Sequence, residues 1–256
     1  MSEPLILLKN LSIQHAKKQE RTIRSLNLEI LEGEILGLVG SSGCGKSTIA
    51  KTLVGLYPIQ QGEIFYQGKL YASTKKDFRS DFRKEIQIVF QDPSACLNPR
   101  LSVLSILLEP LQIHERFSSK EQKIHKVCQI LEQVGLDSSF LSRYPHELSG
   151  GQKQRICIAR SLILKPRFLI FDEAVSALDA SVQAQILNLL KTLKKELGFT
   201  LLFISHDLQI VHYLADRIAV ISKGKIVEIG TPDQIFQEPK DNYTKKLIEL
   251  SKKYVV

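Results

Sequence analysis

The sequence predicts an α/β fold, on three observations. Strand-like segments recur along the whole chain, helical patterns lie between several of them, and the most apolar segments are short near-continuous runs such as FLIF at 168–171. Runs of that kind suit strands buried on both faces, the usual condition of a largely parallel sheet. Alternation of strand and helix then builds the core from parallel strands joined by crossover helices.

In chain order, strands are expected at 5–13, 25–31, 34–40, 62–68, 86–91, 167–173 and 199–205. The stretch 217–230 reads as a hairpin, because Lys223-Gly224 interrupts two apolar runs with a turn pair. Helical patterns occupy 47–56, 180–197 and 207–215, and NYTKKLIELSKKYVV closes the chain as a last helix. The middle, about 92–166, has a different composition. It is mostly helical, with LSVLSILLEPLQI, SSKEQKIHKVCQILEQVGL and GGQKQRICIARSLIL in succession. This predicts a helical subdomain (about 92–166) inserted into a core lobe made of about 1–91 and 167–256.

Composition excludes several classes. Hydrophobic residues make up 43% and charged residues 24%, which is globular and neither fibrous nor disordered. No apolar run approaches the roughly 18–20 residues that span a bilayer; GFTLLFIS at 198–205 is among the longest. The start, MSEPLILLKN, carries Glu3 and no basic region, so no leader is expected and the chain reads as soluble and intracellular. The net charge of +8 suits an anionic partner such as a nucleotide, a nucleic acid or a lipid headgroup, and equally a well-solvated surface. Cys44, Cys96, Cys128 and Cys157 form no C-x-x-C, which argues against a zinc ribbon or iron–sulfur run and for free thiols in a reducing compartment.

GSSGCGKS at 40–47 follows the strand ILGLV and precedes the helix STIAKTLVGL, the context that a G-x-x-x-x-G-K-[ST] phosphate loop requires. Gly40, Gly43 and Gly45 let the backbone turn tightly and aim N–H groups at phosphate oxygens, with Ser41, Ser42, Cys44 and Thr48 completing the cradle. The helix N-terminus adds its partial positive charge. Lys46 is expected to reach the β and γ phosphates of ATP, and the Ser47 hydroxyl to sit on Mg²⁺. Cys44, inside the loop and at a helix N-terminus, is expected to be a reactive thiol shielded by nucleotide. Downstream, FLIFDE at 168–173 is an apolar strand ending in two acids. Asp172 would hold Mg²⁺ through water and Glu173 would polarise the water that attacks the γ-phosphate, the two alternating faces of the strand.

LSGGQ at 148–152 reads locally as a capping box, Ser149 with Gln152, opening a helix. Two glycines in that first turn cost roughly 1 kcal/mol each against alanine, which makes sense where a phosphate must approach the backbone. This pentapeptide is the signature of the ATP-binding-cassette ATPases, and the chain resembles that family over its whole length. The resemblance implies a P-loop NTPase of the ABC ATPase type, a RecA-like core with an inserted helical subdomain. It also implies that Gln91 in VFQDP is the glutamine contacting Mg²⁺ and the attacking water. By the same resemblance SALD at 176–179 crosses to a partner subunit, and His206 in FISHD contacts the γ-phosphate. Ser149, Gly150, Gly151 and Gln152 would close over the nucleotide of a second ATPase chain. Where the family commonly stacks adenine on a tyrosine, NLSIQH ends in His15, whose imidazole offers a smaller face.

VFQDPSACLNPRLSV, the DEAVS of 172–176 and DNYTKKL resemble segments of the peptide and nickel importers of this family. The expected function is therefore the ATP-hydrolysing subunit of a peptide or nickel importer. It would sit at the cytoplasmic face of the membrane with permease subunits and a second ATPase chain, and reach a substrate-binding protein only indirectly. The alternative is a family member acting on nucleic acid in repair or translation. Repair members insert a long coiled coil between phosphate loop and signature, and translation members carry two cassettes. This chain shows neither, so no nucleic-acid partner is expected.

Overall fold

The computed structural model describes residues 4–14, 21–115 and 119–253. The strands among them are β1 (Pro4–Gln14), β2 (Arg21–Leu31), β3 (Ile35–Val39), β4 (Gln61–Tyr66), β5 (Lys69–Ser73), β6 (Ile86–Val89), β7 (Phe168–Asp172), β8 (Thr200–Ser205), β9 (Arg217–Ser222) and β10 (Lys225–Gly230). The helices are α1 (Lys46–Leu53), α2 (Pro93–Cys96), α3 (Val103–His114), α4 (Lys120–Gln133), α5 (Gly150–Leu162), α6 (Ala180–Leu197), α7 (Leu208–Leu214), α8 (Pro232–Gln237) and α9 (Asn242–Lys253). They fall into two units, Met1–Arg83 with Phe199–Val256, and Lys84–Gly198.

In the first unit β3 is parallel to both β8 and β9, with Ile35 opposite Leu201 and Leu36 opposite Arg217, and β10 returns antiparallel to β9. All five residues of β3 and all six of β8 are buried, as the near-continuous apolar runs predicted. Each fully buried Leu or Ile contributes roughly 1.5–3 kcal/mol of transfer free energy, an upper bound that chain entropy offsets. Gly37 in β3 lets α7 lie directly on the strand, since a Cβ there would come within 2.2 Å of Val211 Cγ1.

The parallel pairing of β3 with β8 and β9 agrees with the expected parallel sheet, and the remaining strands of this unit add a second sheet that was not expected. They form a separate antiparallel sheet of order β2-β1-β4-β5. The expected strand 62–68 ends at Tyr66, and Gln67-Gly68 turn with φ of 49° and 69° into β5, which sequence reading overlooked. A two-residue turn with both φ positive can only join antiparallel neighbours. Lys223-Gly224, with φ of 48° and 76°, makes the same turn between β9 and β10, as expected.

In the second unit β6 and β7 pair in parallel, Ile86 opposite Phe168 and Val89 opposite Phe171, with every residue of β7 buried. Helices α3 to α6 each start at a side-chain cap, Ser102, Ser119, Ser149 and Asp179. Such caps satisfy first-turn N–H groups and contribute about 1 kcal/mol each. Gly198, at φ of 70°, ends α6.

Candidate functional site: a phosphate loop, an acid pair and a signature helix

The loop between β3 and α1 is held on its own side chains and on elements of the same unit. The Lys46 ammonium is buried and donates to the carbonyls of Gly40 (2.9 Å) and Ser41 (3.2 Å). The Cys44 N–H donates to the Ser41 carbonyl (3.3 Å), and the Gly224 N–H, from the β9–β10 turn, donates to the Cys44 carbonyl (3.1 Å). Two glycines have a geometric reason. Gly45 has a φ of 114°, where L side chains are strained, and a Cβ on Gly40 would lie 2.2 Å from the Ile221 carbonyl. Both positions were legible as loop glycines; the neighbour that makes each obligatory was not.

Helix α1 starts at Gly45 with no side-chain cap and no acid in its first turn, whereas every helix from α2 to α8 starts at a capping Asp, Ser or Thr. Its leading N–H groups, the helix dipole and a buried ammonium together fit the phosphates of ATP. Ser41, Ser42 and Gly43 are exposed, Ser47 is partly exposed, and Thr48 is buried with its carbonyl accepting the Thr52 hydroxyl (2.8 Å). Cys44 corrects one expectation. Only 6% of it is exposed, and its sulfur would sit 2.9 Å from a Cβ on Gly40, so it fills space under the loop and is not presented to reagents. His15, the expected adenine platform, lies outside the described residues. His206 follows β8 and is exposed; the next residue, Asp207, caps α7 by accepting the Gln209 N–H (2.8 Å).

In the second unit Asp172 is the last residue of β7 and is 5% exposed. Glu173 is no longer in the strand. Its φ of 51° is left-handed, and its carbonyl accepts the Ser176 hydroxyl (2.8 Å) and the Ser176 N–H (3.2 Å). The two acids are therefore set apart by a strained turn and not, as expected, by the alternation of a strand. Holding a non-glycine residue there costs of the order of 1–3 kcal/mol, a cost that clusters at functional sites. Ser176 was quoted for its motif, but its service to Glu173 was not legible. Gln91 is exposed just beyond β6, and Asp92 after it caps α2 through the N–H groups of Ser94 (2.8 Å) and Ala95 (3.2 Å). Asp179, of SALD, caps α6: the Val182 N–H (2.9 Å), then the Ser181 hydroxyl (2.8 Å), hold its carboxyl below the usual range. Among the described residues no three His, Cys, Asp or Glu cluster as a metal cage; the proposed cation ligands are a hydroxyl, an amide and a carboxylate.

The signature helix makes its capping box: Ser149 Oγ accepts the Gln152 N–H (3.3 Å) and Gln152 Oε1 accepts the Ser149 N–H (2.9 Å). Its two glycines differ. A Cβ on Gly151 would meet Val182 Cγ1 at 2.6 Å, so packing against α6 explains that glycine. A Cβ on Gly150 would have only Leu178 Cδ2, at 3.7 Å, as neighbour. Among the described residues no packing contact requires Gly150. Gly151→Ala is expected to lower stability by about 1–3 kcal/mol through overpacking. Gly150→Ala is expected to stay within about 0.5 kcal/mol of the parent in thermal unfolding, yet to lose tenfold or more of its ATP hydrolysis. Full hydrolysis by the Gly150 variant would return that glycine to a purely local role.

Comparison with known proteins agrees with this geometry. Residues 23–176 match the ABC transporter family model. The chain is 46% identical over 247 residues to the oligopeptide transport ATP-binding protein OppF of Streptococcus mutans, covering 95% of this chain and 80% of that one. It is 44% identical over 252 residues to OppF of Bacillus subtilis, covering 97% and 82%. Among solved structures it superposes on the ATP-binding cassette MJ0796, dimeric and bound to ADP and Pi, with a TM-score of 0.77, 29% identity and coverage of 89% and 98%. It also superposes on CbiO1 of Clostridium perfringens, part of the ABC transporter complex CbiONQ, at a TM-score of 0.81, 26% identity and coverage of 99% and 96%. A buried phosphate-loop lysine above an uncapped helix, an acid pair at a strand end and a signature helix with one unexplained glycine thus have one reading, and the chain belongs to the ABC transporter family as an ATP-binding, ATP-hydrolysing cassette.

Proposed function

We propose that this chain powers a peptide importer, as one of two ATPase chains attached to membrane permease subunits. The observation that carries the reading is identity of about 45% across nearly the whole chain to proteins named for oligopeptide transport. The VFQDPSACLNPR and NYTKKL segments point the same way, and peptide is favoured over nickel because those names are peptide names. No helix among the described residues is long and apolar enough to cross a membrane, so attachment to the inner face of the membrane would come through the permease.

In this reading a core lobe of about 1–91 and 167–256 handles nucleotide, and a helical lobe of about 92–166 docks the permease. Lys46 and the N–H groups at the start of α1 hold the β and γ phosphates of ATP, His15 stacks the adenine, and Ser47, Gln91 and Asp172 present oxygen ligands to Mg²⁺. Oxygen donors of that kind suit a hard cation, which when bound offsets the negative charge of the transferred phosphoryl group. Glu173 accepts a proton from the attacking water while Gln91 and His206 orient water and γ-phosphate. Ser149, Gly150, Gly151 and Gln152 face the nucleotide of the second ATPase chain, Gly150 leaving room for its γ-phosphate.

The docking half is supported by a groove of about 340 Å³ next to Gln91 in sequence and in its own unit, lined by Phe90, Cys96, Ile113, Cys157 and the Arg160–Glu109 pair (2.9 Å). Ile113 is 60% exposed, unusual for isoleucine, and burial pushes the Cys157 thiol up to about 12, so that thiol stays protonated and unreactive. Co-purification should yield a permease, and the assembled complex in proteoliposomes should import labelled peptide only with ATP inside the ATPase compartment. Hydrolysis stimulated by DNA, with no permease recovered, would move the protein to the nucleic-acid branch; import of nickel but not peptide would reassign the cargo.

A further inference from the structure

The NYT segment lies far from the phosphate loop in sequence, yet the fold joins them. Tyr243, in the first turn of α9, accepts the Ser41 N–H on its phenol oxygen at 2.7 Å, across 202 residues. The ring is placed there by a chain of bonds. Glu228, on β10, accepts the N–H groups of Lys240 (2.8 Å) and Asp241 (3.1 Å), and Asp241 Oδ1 accepts the Tyr243 N–H (2.7 Å). Asp241 also takes the Lys245 N–H on its carbonyl (3.1 Å), which starts the helix.

Ser41 is thereby gripped at both ends of its residue. Its N–H is on Tyr243, and its carbonyl takes the Lys46 ammonium and the Cys44 N–H. The same β9–β10 hairpin that carries Glu228 supplies the Gly224 N–H to the Cys44 carbonyl. The far side of the loop is thus built from the β9–β10 hairpin and the first turn of α9. Ser41 N–H is spent on this support, whereas the N–H groups offered without a side-chain cap are those at the start of α1.

We propose that Tyr243 is a positioning residue for the phosphate loop, and that docking of the first turn of α9 sets the affinity for ATP. The phenol holds the Ser41 peptide, the Ser41 carbonyl holds Lys46, and Lys46 meets the phosphates. Linkage makes the effect reciprocal: bound ATP must tighten α9 on the loop by the same factor. A partner that pulls on α9 would loosen nucleotide without touching the site. This rests on the role of Lys46 given above, and Lys46→Ala serves as the control for it.

The test is Tyr243→Phe, which keeps the ring and removes only the acceptor. One neutral hydrogen bond is worth a two- to tenfold change in affinity, roughly. The variant should bind ATP about three- to tenfold more weakly, hydrolyse it at saturation within about twofold of the parent, and melt at the parent temperature. Amide exchange should quicken at 41–45, and ATP should slow exchange at 240–247 in the parent but not in the variant. Asp241→Ala should reproduce the weakening, Asp241→Asn should not, and Asp241→Ala added to Tyr243→Phe should change nothing more. Unchanged affinity in Tyr243→Phe, while Lys46→Ala abolishes binding, overturns the proposal alone; unchanged affinity in both overturns the role of Lys46 with it. Tighter binding would mean that the phenol competes with phosphate, and a large fall in melting temperature with unaltered exchange at 240–247 would reduce Tyr243 to packing. Either result also overturns it.

Discussion

Glu173→Gln is expected to bind MgATP as tightly as the parent chain and to hydrolyse it about 10²–10⁴-fold more slowly, the contribution of a positioned general base. The amide is nearly isosteric, and in the proposed mechanism Lys46, Ser47 and Asp172 still hold phosphate and cation, so binding and chemistry should separate. The Ser176 bonds go to the Glu173 carbonyl, so the left-handed turn survives the substitution and stability should not change. With hydrolysis blocked, ATP should hold two chains together across the signature helices, and size-exclusion chromatography with MgATP should show a dimer accumulating. If the working assembly pairs two different ATPases, that dimer forms in the presence of the second chain. Hydrolysis at the parent rate would remove Glu173 from the mechanism.

Lys46→Ala is expected to do the opposite. It deletes a buried ammonium whose neighbours are the Gly40 and Ser41 carbonyls, leaving those oxygens and the phosphates without their cation. Hydrogen bonds to charged groups contribute about 1.5–3 kcal/mol each, so losing contacts to two phosphates should weaken ATP at least about a hundredfold. Titration with a fluorescent nucleotide measures this directly, and the protein should stay monomeric at nucleotide concentrations that dimerise Glu173→Gln. Affinity within tenfold of the parent would show that the loop backbone alone carries the phosphates.

These two residues were legible because their signals are local. A phosphate loop is one turn between one strand and one helix, so its residues are neighbours in sequence and its spacing is its geometry. The same holds for the Ser149–Gln152 capping box and for the acids that end β7. Identity of the family followed from such words in order: GSSGCGKS, LSGGQ, FLIFDE and FISHD.

What escaped reading depended on partners distant in sequence. Tyr66 ends β4 and Gln67-Gly68 turn back, but only the pairing of β4 with β1 and β5 shows an antiparallel sheet beside the parallel strands. The two signature glycines look alike until Val182 of α6 is found crowding one and only an ordinary contact with Leu178 is found beside the other. The order FLIFDE placed both acids on a strand, whereas Ser176 draws Glu173 into a left-handed turn. Its place in the loop at a helix N-terminus suggested that Cys44 is a reactive thiol, but it is buried against Gly40. Tyr243 was quoted only as part of a branch motif, and its bond to Ser41 spans most of the chain. The sequence by itself determined the chemistry of the phosphate loop and the acid pair, because backbone turns and residue types act over a few residues. Only the tertiary structure decided which glycine is packed against α6, which acid leaves the strand and which tyrosine meets the phosphate loop, because packing and hydrogen bonding act between whatever surfaces the fold brings together.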